Sequence, residues 1–332
     1  MLSKNQGLPY FSEAAIFNRG TEAVYMFFAL SGFLIVGQIY RLKKKGVFSI
    51  RNFLMRRSLR ILPLYYLIVF FGFFFYWVFL PFVNIPFENN YPLLEGFALA
   101  LFFVPNILDI LYKPGGILEV LWSIGIEVQF YLFVAPALYF FKARRLLLVL
   151  SIISIVYFLL FHFSALDFLK TYNFVFFFIF IGGLVGLLEE YGYLNVLKKT
   201  RVFPIIITVL TILFFTTDFV TASSAWVNNL CLAVLFSLFI HTLAYNNYGL
   251  EIKNRWINYF GRISYGIYMY HVICMNLVVF LMLRLKEHVL LNDTLSISLI
   301  YIFTFAITIF VAGLSYRYFE AYFLKLKTKY KK

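Results

Sequence analysis

The sequence predicts an all-α, polytopic transmembrane helical bundle of about nine spans, and three observations carry that prediction. Of the 332 residues, 63% are hydrophobic. Only 13% are charged, and the mean hydropathy is +0.86. The apolar runs last about 15 to 25 residues, which is helix length for a hydrocarbon layer of ~30 Å. A soluble domain of this size lacks the interior to hide so much apolar surface. In lipid the backbone must satisfy its own polar groups, which only helices and closed barrels achieve. The alternating ten-residue strands of a barrel do not occur in this sequence.

The apolar runs place spans near 22–40, 61–80, 118–141, 146–162, 173–189, 203–217, 226–245, 259–283 and 297–318. Residues 94–111 (LEGFALALFFVPNILDIL) are broken by Pro105, Asn106 and Asp109 and read as interfacial or re-entrant. Charge then sets the sides. Segment 41–60 carries eight basic residues, expected on the cytoplasmic face. With 94–111 left out of the spans, the clusters at Lys142, Arg144 and Arg145, at Lys198, Lys199 and Arg201, at Lys253 and Arg255, and at Lys325 to Lys332 fall on that same face. On this assignment 23 of the 29 basic residues face the cytoplasm, including the C-terminus. The net charge of +14 is therefore an orientation signal with attraction for anionic membrane lipid, not a nucleic-acid footprint.

This topology starts outside, yet segment 1–20 is too polar to insert and no signal peptide precedes the first span. The expectation is that a further helix precedes the start of this sequence. Cys231 and Cys274 fall inside apolar runs and read as small core residues rather than a disulfide or metal pair. No internal repeat or linker divides the chain, which reads as one domain, residues 1–332.

Ionisable and polar groups inside apolar segments mark where chemistry can sit. In MRRSLRILPLY (55–65), Arg56 and Arg60 share a helix face beside Arg57, with Pro63 able to bend the helix. Guanidinium forks there suit phosphate, and anchoring to lipid headgroups accounts for them equally. In LWSIGIEVQFYLFVAP (121–136), Trp122 reads as an interface anchor and Glu127 lies one turn after Ser123. Such a carboxylate must be paired, protonated or wet; it can orient a base, meet a sugar hydroxyl or bridge to an Arg.

In FGRISYGIYMYHVI (260–273), Ser264, Tyr268 and His271 recur at helical spacing, with Gly261 and Gly266 permitting close packing. His271 is able to titrate near neutrality. His162, His241 and His288 lack comparable polar company and read as structural or exposed. In MFFALSGFLI (26–35), Ser31 and Gly32 allow tight helix contact or a kink, and in SYRYFEAYF (315–323) Arg317 and Glu320 predict a local i, i+3 salt bridge.

Taken in order, FFALSGFLI, RRSLRILPLY, LWSIGIEVQFYLFVAP, ISYGIYMYH and YRYFEAYF resemble the acyltransferase-3 family of bacterial membrane O-acyltransferases, from about residue 20 to residue 324. The resemblance implies an inner-membrane enzyme that moves an acyl group, usually acetyl, from acyl-CoA to a hydroxyl of a cell-envelope polysaccharide or glycoside. No bound cofactor or metal is implied; acyl-CoA is the donor substrate.

The family pattern also implies ten spans and a first helix that ends in a functional His. That helix is missing from this sequence, as the topology independently suggests, and Ala321 stands near where relatives often carry Pro. The residues that match put Arg56, Arg57, Arg60, Trp122, Ser123, Ser264 and Tyr268 in substrate binding, and Glu127 and His271 in catalysis. A glycan transporter or flippase, or a truncated non-catalytic remnant, are the rival expectations. Transporters often show related halves, which this sequence lacks.

Overall fold

A computed structural model describes residues 18–200, 202–217, 224–245, 254–288 and 292–330. Segment 1–17 and the basic residues Arg201, Lys253, Lys331 and Lys332, used above for topology, lie outside the described residues. Among the described residues the protein is helical throughout, without strands. The principal helices are α1 (Gly20–Lys44), α2 (Ile50–Phe74), α3 (Leu93–Leu101), α4 (Pro105–Tyr112), α5 (Leu121–Tyr139), α6 (Leu146–Phe163), α7 (Phe176–Glu190), α8 (Val202–Thr216), α9 (Ala225–Tyr245), α10 (Arg255–Lys286) and α11 (Asp293–Ser315).

Every predicted span is helical, and among the described residues seven helices are long and apolar enough to cross a membrane: Gly20–Lys44, Ile50–Phe82, Gly116–Tyr139, Ala143–Phe163, Ala225–Tyr245, Arg255–Lys286 and Asp293–Tyr330. The protein is thus an all-α, multi-pass membrane protein. Spans 173–189 and 203–217 are realised as α7 and α8, of 15 residues each. At 1.5 Å per residue each reaches only about 22 Å, short of a ~30 Å hydrocarbon layer.

Segment 94–111 breaks into α3 and α4. Phe103, at φ 63°, and the bond from Val104 N–H to Leu99 O close the C-terminus of α3. Proline then opens α4 in its first turn, where a missing N–H costs nothing. Neither piece is long enough to span.

The helices group into two compact units. One, here the glycine unit, holds the described parts of Glu13–Arg51 and Ile126–Glu251; the other, the arginine unit, holds Asn52–Gly125 and the described part of Ile252–Lys332. Helix α5 contributes its first turn to the arginine unit and the rest to the glycine unit.

In the glycine unit the most extensive contact is α1 on α7. A Cβ added at Gly32 would lie 1.8 Å from Ile179 O, and one at Gly182 would lie 2.1 Å from Ala29 O. Gly183 and Gly186 press on Val36 and Phe33 in the same way. The two backbones touch, as small residues four apart permit in membrane helices. This bears out the reading of Gly32 as a tight contact. Of the two cysteines, Cys274 is buried in the arginine unit, whereas Cys231 is exposed on α9 and is not a core residue.

In the arginine unit, α10 and α11 form the main pair. Helix α2 runs on through a π-helical turn, Phe75–Phe79, to Phe82, giving 33 residues. At about 50 Å it outruns the hydrocarbon layer, and the basic stretch 51–60 is helix, in keeping with the shared face read for Arg56 and Arg60. Gly266 packs against Ala312 at 3.2 Å from a built Cβ, as expected, but Gly261 has nothing within 4 Å and does not serve close packing.

Candidate active site

The arginine unit gathers most of the polar residues singled out above. Arg56, Arg57 and Arg60 lie on the first turns of α2, with Arg56 and Arg57 partly buried and Arg60 exposed. Arg57 spreads over the ring of Phe53, 5.8 Å from its centre, which holds the guanidinium flat against the helix. Lys327, beyond α11, stands in the electrostatic field of all three arginines. Four cations in one electrostatic neighbourhood favour a multiply charged anion. The helix carries Pro63, which cannot donate to the carbonyl four residues back. Just before it, Ile61 O accepts 2.8 Å from the Tyr265 hydroxyl, which fixes α10 to the arginine-bearing turn.

Glu320 belongs to this end of the unit and was misjudged from sequence. It is buried and accepts 3.3 Å from Ser315 Oγ, which in turn accepts 3.0 Å from the Tyr270 hydroxyl. Arg60 acts on its carboxylate electrostatically. The predicted Arg317–Glu320 bridge does not form: residues Tyr316–Glu320 make a π-helical turn, where positions three apart no longer share a face. Arg317 instead lies over the Tyr318 ring, 5.5 Å from its centre.

A second cluster joins α5 to α10. Ser123 Oγ and Tyr268 Oη are 2.6 Å apart, and Tyr268 Oη also donates 3.0 Å to Val120 O. Ser123 Oγ also reaches Val120 O, at 3.5 Å, so the two hydroxyls share one carbonyl and either can donate to the other. His271 Nδ1 lies 2.5 Å from Tyr268 O. A carbonyl can only accept, so Nδ1 carries the proton and the lone pair is on Nε2. Ser264 does not join them. It is exposed and its hydroxyl bonds back to Gly261 O at 3.1 Å. Trp122, beside Ser123, is half-buried.

Glu127 lies in the glycine unit. It is 5% exposed, and one carboxylate oxygen accepts 2.6 Å from Ser31 Oγ and also accepts from the Tyr131 hydroxyl. Two hydroxyl donors are thus what holds this acid, rather than the bridging Arg considered from sequence. Ser31 and Gly32 divide the labour on α1: one steadies the carboxylate, the other lets α7 approach.

The glycine unit also holds a polar group that the sequence reading passed over. His241, 1% exposed, meets Glu189 Oε2 at 2.8 Å through Nε2, and Lys198 pairs with the other oxygen of Glu189. Lys198 sits over the Tyr245 ring at 4.9 Å, and Arg41 pairs with Glu190 next along α7. His241 therefore has charged company after all. The available signal was the Glu189–Glu190 pair ending an otherwise apolar helix, since buried acids need partners from other segments.

These features define a polytopic membrane protein with a cationic cluster and a part-buried His–Tyr–Ser group in one unit and buried carboxylates in the other. A comparison with protein families gives it a place: residues 2–317 match the model of the acyltransferase-3 family, described as an acyltransferase domain, and the chain belongs to that family. No curated protein and no solved structure matches the chain significantly.

Proposed function

We propose that this protein is an O-acyltransferase that takes an acyl group, acetyl in the simplest case, from acyl-CoA and passes it to a hydroxyl of a bacterial cell-envelope polysaccharide or glycoside. The observation that carries the reading is the convergence of Arg56, Arg57, Arg60 and Lys327 in a member of an acyltransferase family. Coenzyme A is a polyphosphate, and guanidinium groups bind phosphate oxygens in pairs. On this reading the cluster binds the donor's phosphates from the cytoplasmic side of the inner membrane, and the C-terminal basic residues share that side.

The chemistry requires a base for the acceptor hydroxyl and donors for the oxyanion. The acceptor oxygen attacks the thioester carbonyl and its proton passes to the base. The C–S bond then breaks, and coenzyme A leaves as a thiolate that takes up a proton. His271 is suited to the base role because its Nε2 carries the lone pair, and Tyr268 and Ser123 hold its surroundings in register. Glu127, steadied by Ser31 and Tyr131, serves to orient a proton-transfer group or receive the acceptor's hydroxyls. Trp122 is assigned to the acceptor path.

The test is the base-labile O-acyl content of the envelope polysaccharide, by proton NMR, in a parent strain, a gene deletion and complemented deletions. Loss on deletion, return with the chain, and failure of well-inserted Arg57→Ala and Glu127→Ala variants support the reading. Unchanged acyl ester on deletion overturns it, and movement of an unmodified glycan across the membrane by the chain would put a flippase in its place. Normal transfer by both variants removes the residue roles while leaving the reaction.

A further inference from the structure

Within the glycine unit, the C-terminus of α1 and the turn after α5 border an open basic, aromatic groove of ≈ 430 Å³, lined by Lys43, Gly46, Phe48, Tyr139, Phe140 and Lys142. We propose that this groove is a binding site for the headgroup of an anionic phospholipid, a function separate from acyl transfer.

The cation at its floor is held in place. Lys43 Nζ donates 2.7 Å to Tyr139 O and lies 5.5 Å and 5.4 Å from the centres of the Phe48 and Tyr139 rings. An ammonium has three N–H donors, and one is spent on the carbonyl, so two remain for an anion. Gly46 makes this geometry available. At φ 71° it reverses the chain, with Gly46 N–H bonded to Lys43 O and Val47 N–H to Leu42 O, so that Phe48 comes back over Lys43. The other wall is fixed by the Tyr191 hydroxyl, which donates 2.7 Å to Ala143 O.

Charge and polarity select the occupant. Segments 41–60 and 128–166 contain no acidic residue, and Lys44, Lys45, Arg144 and Arg145 are exposed beside the groove. The carboxylate of Glu190 is committed to Arg41. The site is therefore anionophilic. A soluble anion would leave its rim unexplained, however. Phe140 is 80% exposed, and the helix that follows shows an apolar flank at Leu148 (64%) and Ile152 (53%). An occupant that satisfies both needs a phosphate and hydrocarbon chains in one molecule. Basic residues beside rings at the end of a span are where such headgroups lie, and the volume suits a phosphoglycerol group.

The full chain in detergent micelles is titrated with phosphatidylglycerol, phosphatidylcholine and free coenzyme A, and adducts are counted by native mass spectrometry. Phosphatidylglycerol should be retained at one copy and phosphatidylcholine should not. Both Lys142→Glu and Phe140→Ala, surface changes checked by monodisperse elution, should weaken retention at least tenfold. Lys170→Glu is the control, since Lys170 is exposed in the same unit and donates to His162 O at the opposite end of α6. Equal loss with Lys170→Glu would reduce the effect to net charge and overturn the site. Equal retention of phosphatidylcholine, or no effect of either groove variant, also overturns it. Displacement of the lipid by free coenzyme A at similar concentration would reassign the groove to a nucleotide.

Discussion

The two units solve the cost of polar groups in a membrane protein in opposite ways. In the glycine unit Glu127 and Glu189 are buried and matched, Glu127 by Ser31 and Tyr131 and Glu189 by His241 and Lys198, and half-buried Glu190 pairs with Arg41. Backbone-to-backbone packing of α1 on α7 makes that matching rigid. In the arginine unit Arg56, Arg57, Arg60 and Lys327 gather at one end, Arg60 is exposed, and two helices carry π-helical turns, Phe75–Phe79 and Tyr316–Glu320. Such turns are frequent at functional sites. The difference teaches a division of labour: one unit pairs its buried acids across helices, and the other gathers cations beside a buried acid, Glu320.

The largest effect should come from breaking the tight packing. Gly32→Leu drives a side chain into Ile179 O and should cost above about 4 kcal/mol, the range of severe core disruption. Thermal unfolding in detergent measures it. Gly261→Ala, where nothing lies within 4 Å, should leave the midpoint unchanged or slightly raised. If both variants unfold alike, the contrast between packed and open glycines is wrong.

Next is the buried acid. Glu189→Ala leaves His241 without its carboxylate and Lys198 without its counter-charge, and removing one member of a buried pair costs ~3–5 kcal/mol. The low end is expected, because the Lys198 side chain is 27% exposed and solvent can screen it. Lys198→Met in the same background should recover part of the loss; absence of recovery would show that the pair is not coupled.

The sharper test of the arginine unit is a double-mutant cycle on Ser123→Ala and Tyr268→Phe. Each deletion should cost about 1 kcal/mol, and the double variant should cost less than their sum because both remove one hydrogen bond. Additive losses would mean that the 2.6 Å contact contributes nothing of its own. If acyl transfer is the function, both singles should lower turnover more than donor affinity, since neither residue belongs to the cationic cluster.

Much of this was legible before any coordinates. Apolar run length located the long helices, because lipid leaves few other solutions, and the run broken at Pro105 was readable as interfacial or re-entrant rather than spanning. The juxtaposition of Ser123, Tyr268 and His271 was only half legible: helical period brought Tyr268 and His271 together, but it also enlisted Ser264, which faces outward. Period on one helix cannot say which face a neighbour covers. His241 was missed for a related reason, since its partners come from α7 and from the turn at Lys198, far away in sequence. The glycines at 182, 183 and 186 were visible as a pattern; what they touch was not.

The smallest expected effect, that of removing Arg317, best separates sequence logic from structure. Helical spacing pairs Arg317 with Glu320, so their removal should cost equally. The π-helical turn separates them: Glu320 is buried against Ser315 near Arg60, while Arg317 rests on Tyr318, itself 72% exposed. Glu320→Ala should therefore cost about 1–3 kcal/mol, by leaving Ser315 without its acceptor in a buried site. Arg317→Ala should stay within about 0.5 kcal/mol of the parent, as surface changes do. Thermal midpoints of the two variants measured side by side decide it. Equal losses would restore the local salt bridge and remove the π-helical turn as the reason Glu320 points into the arginine unit.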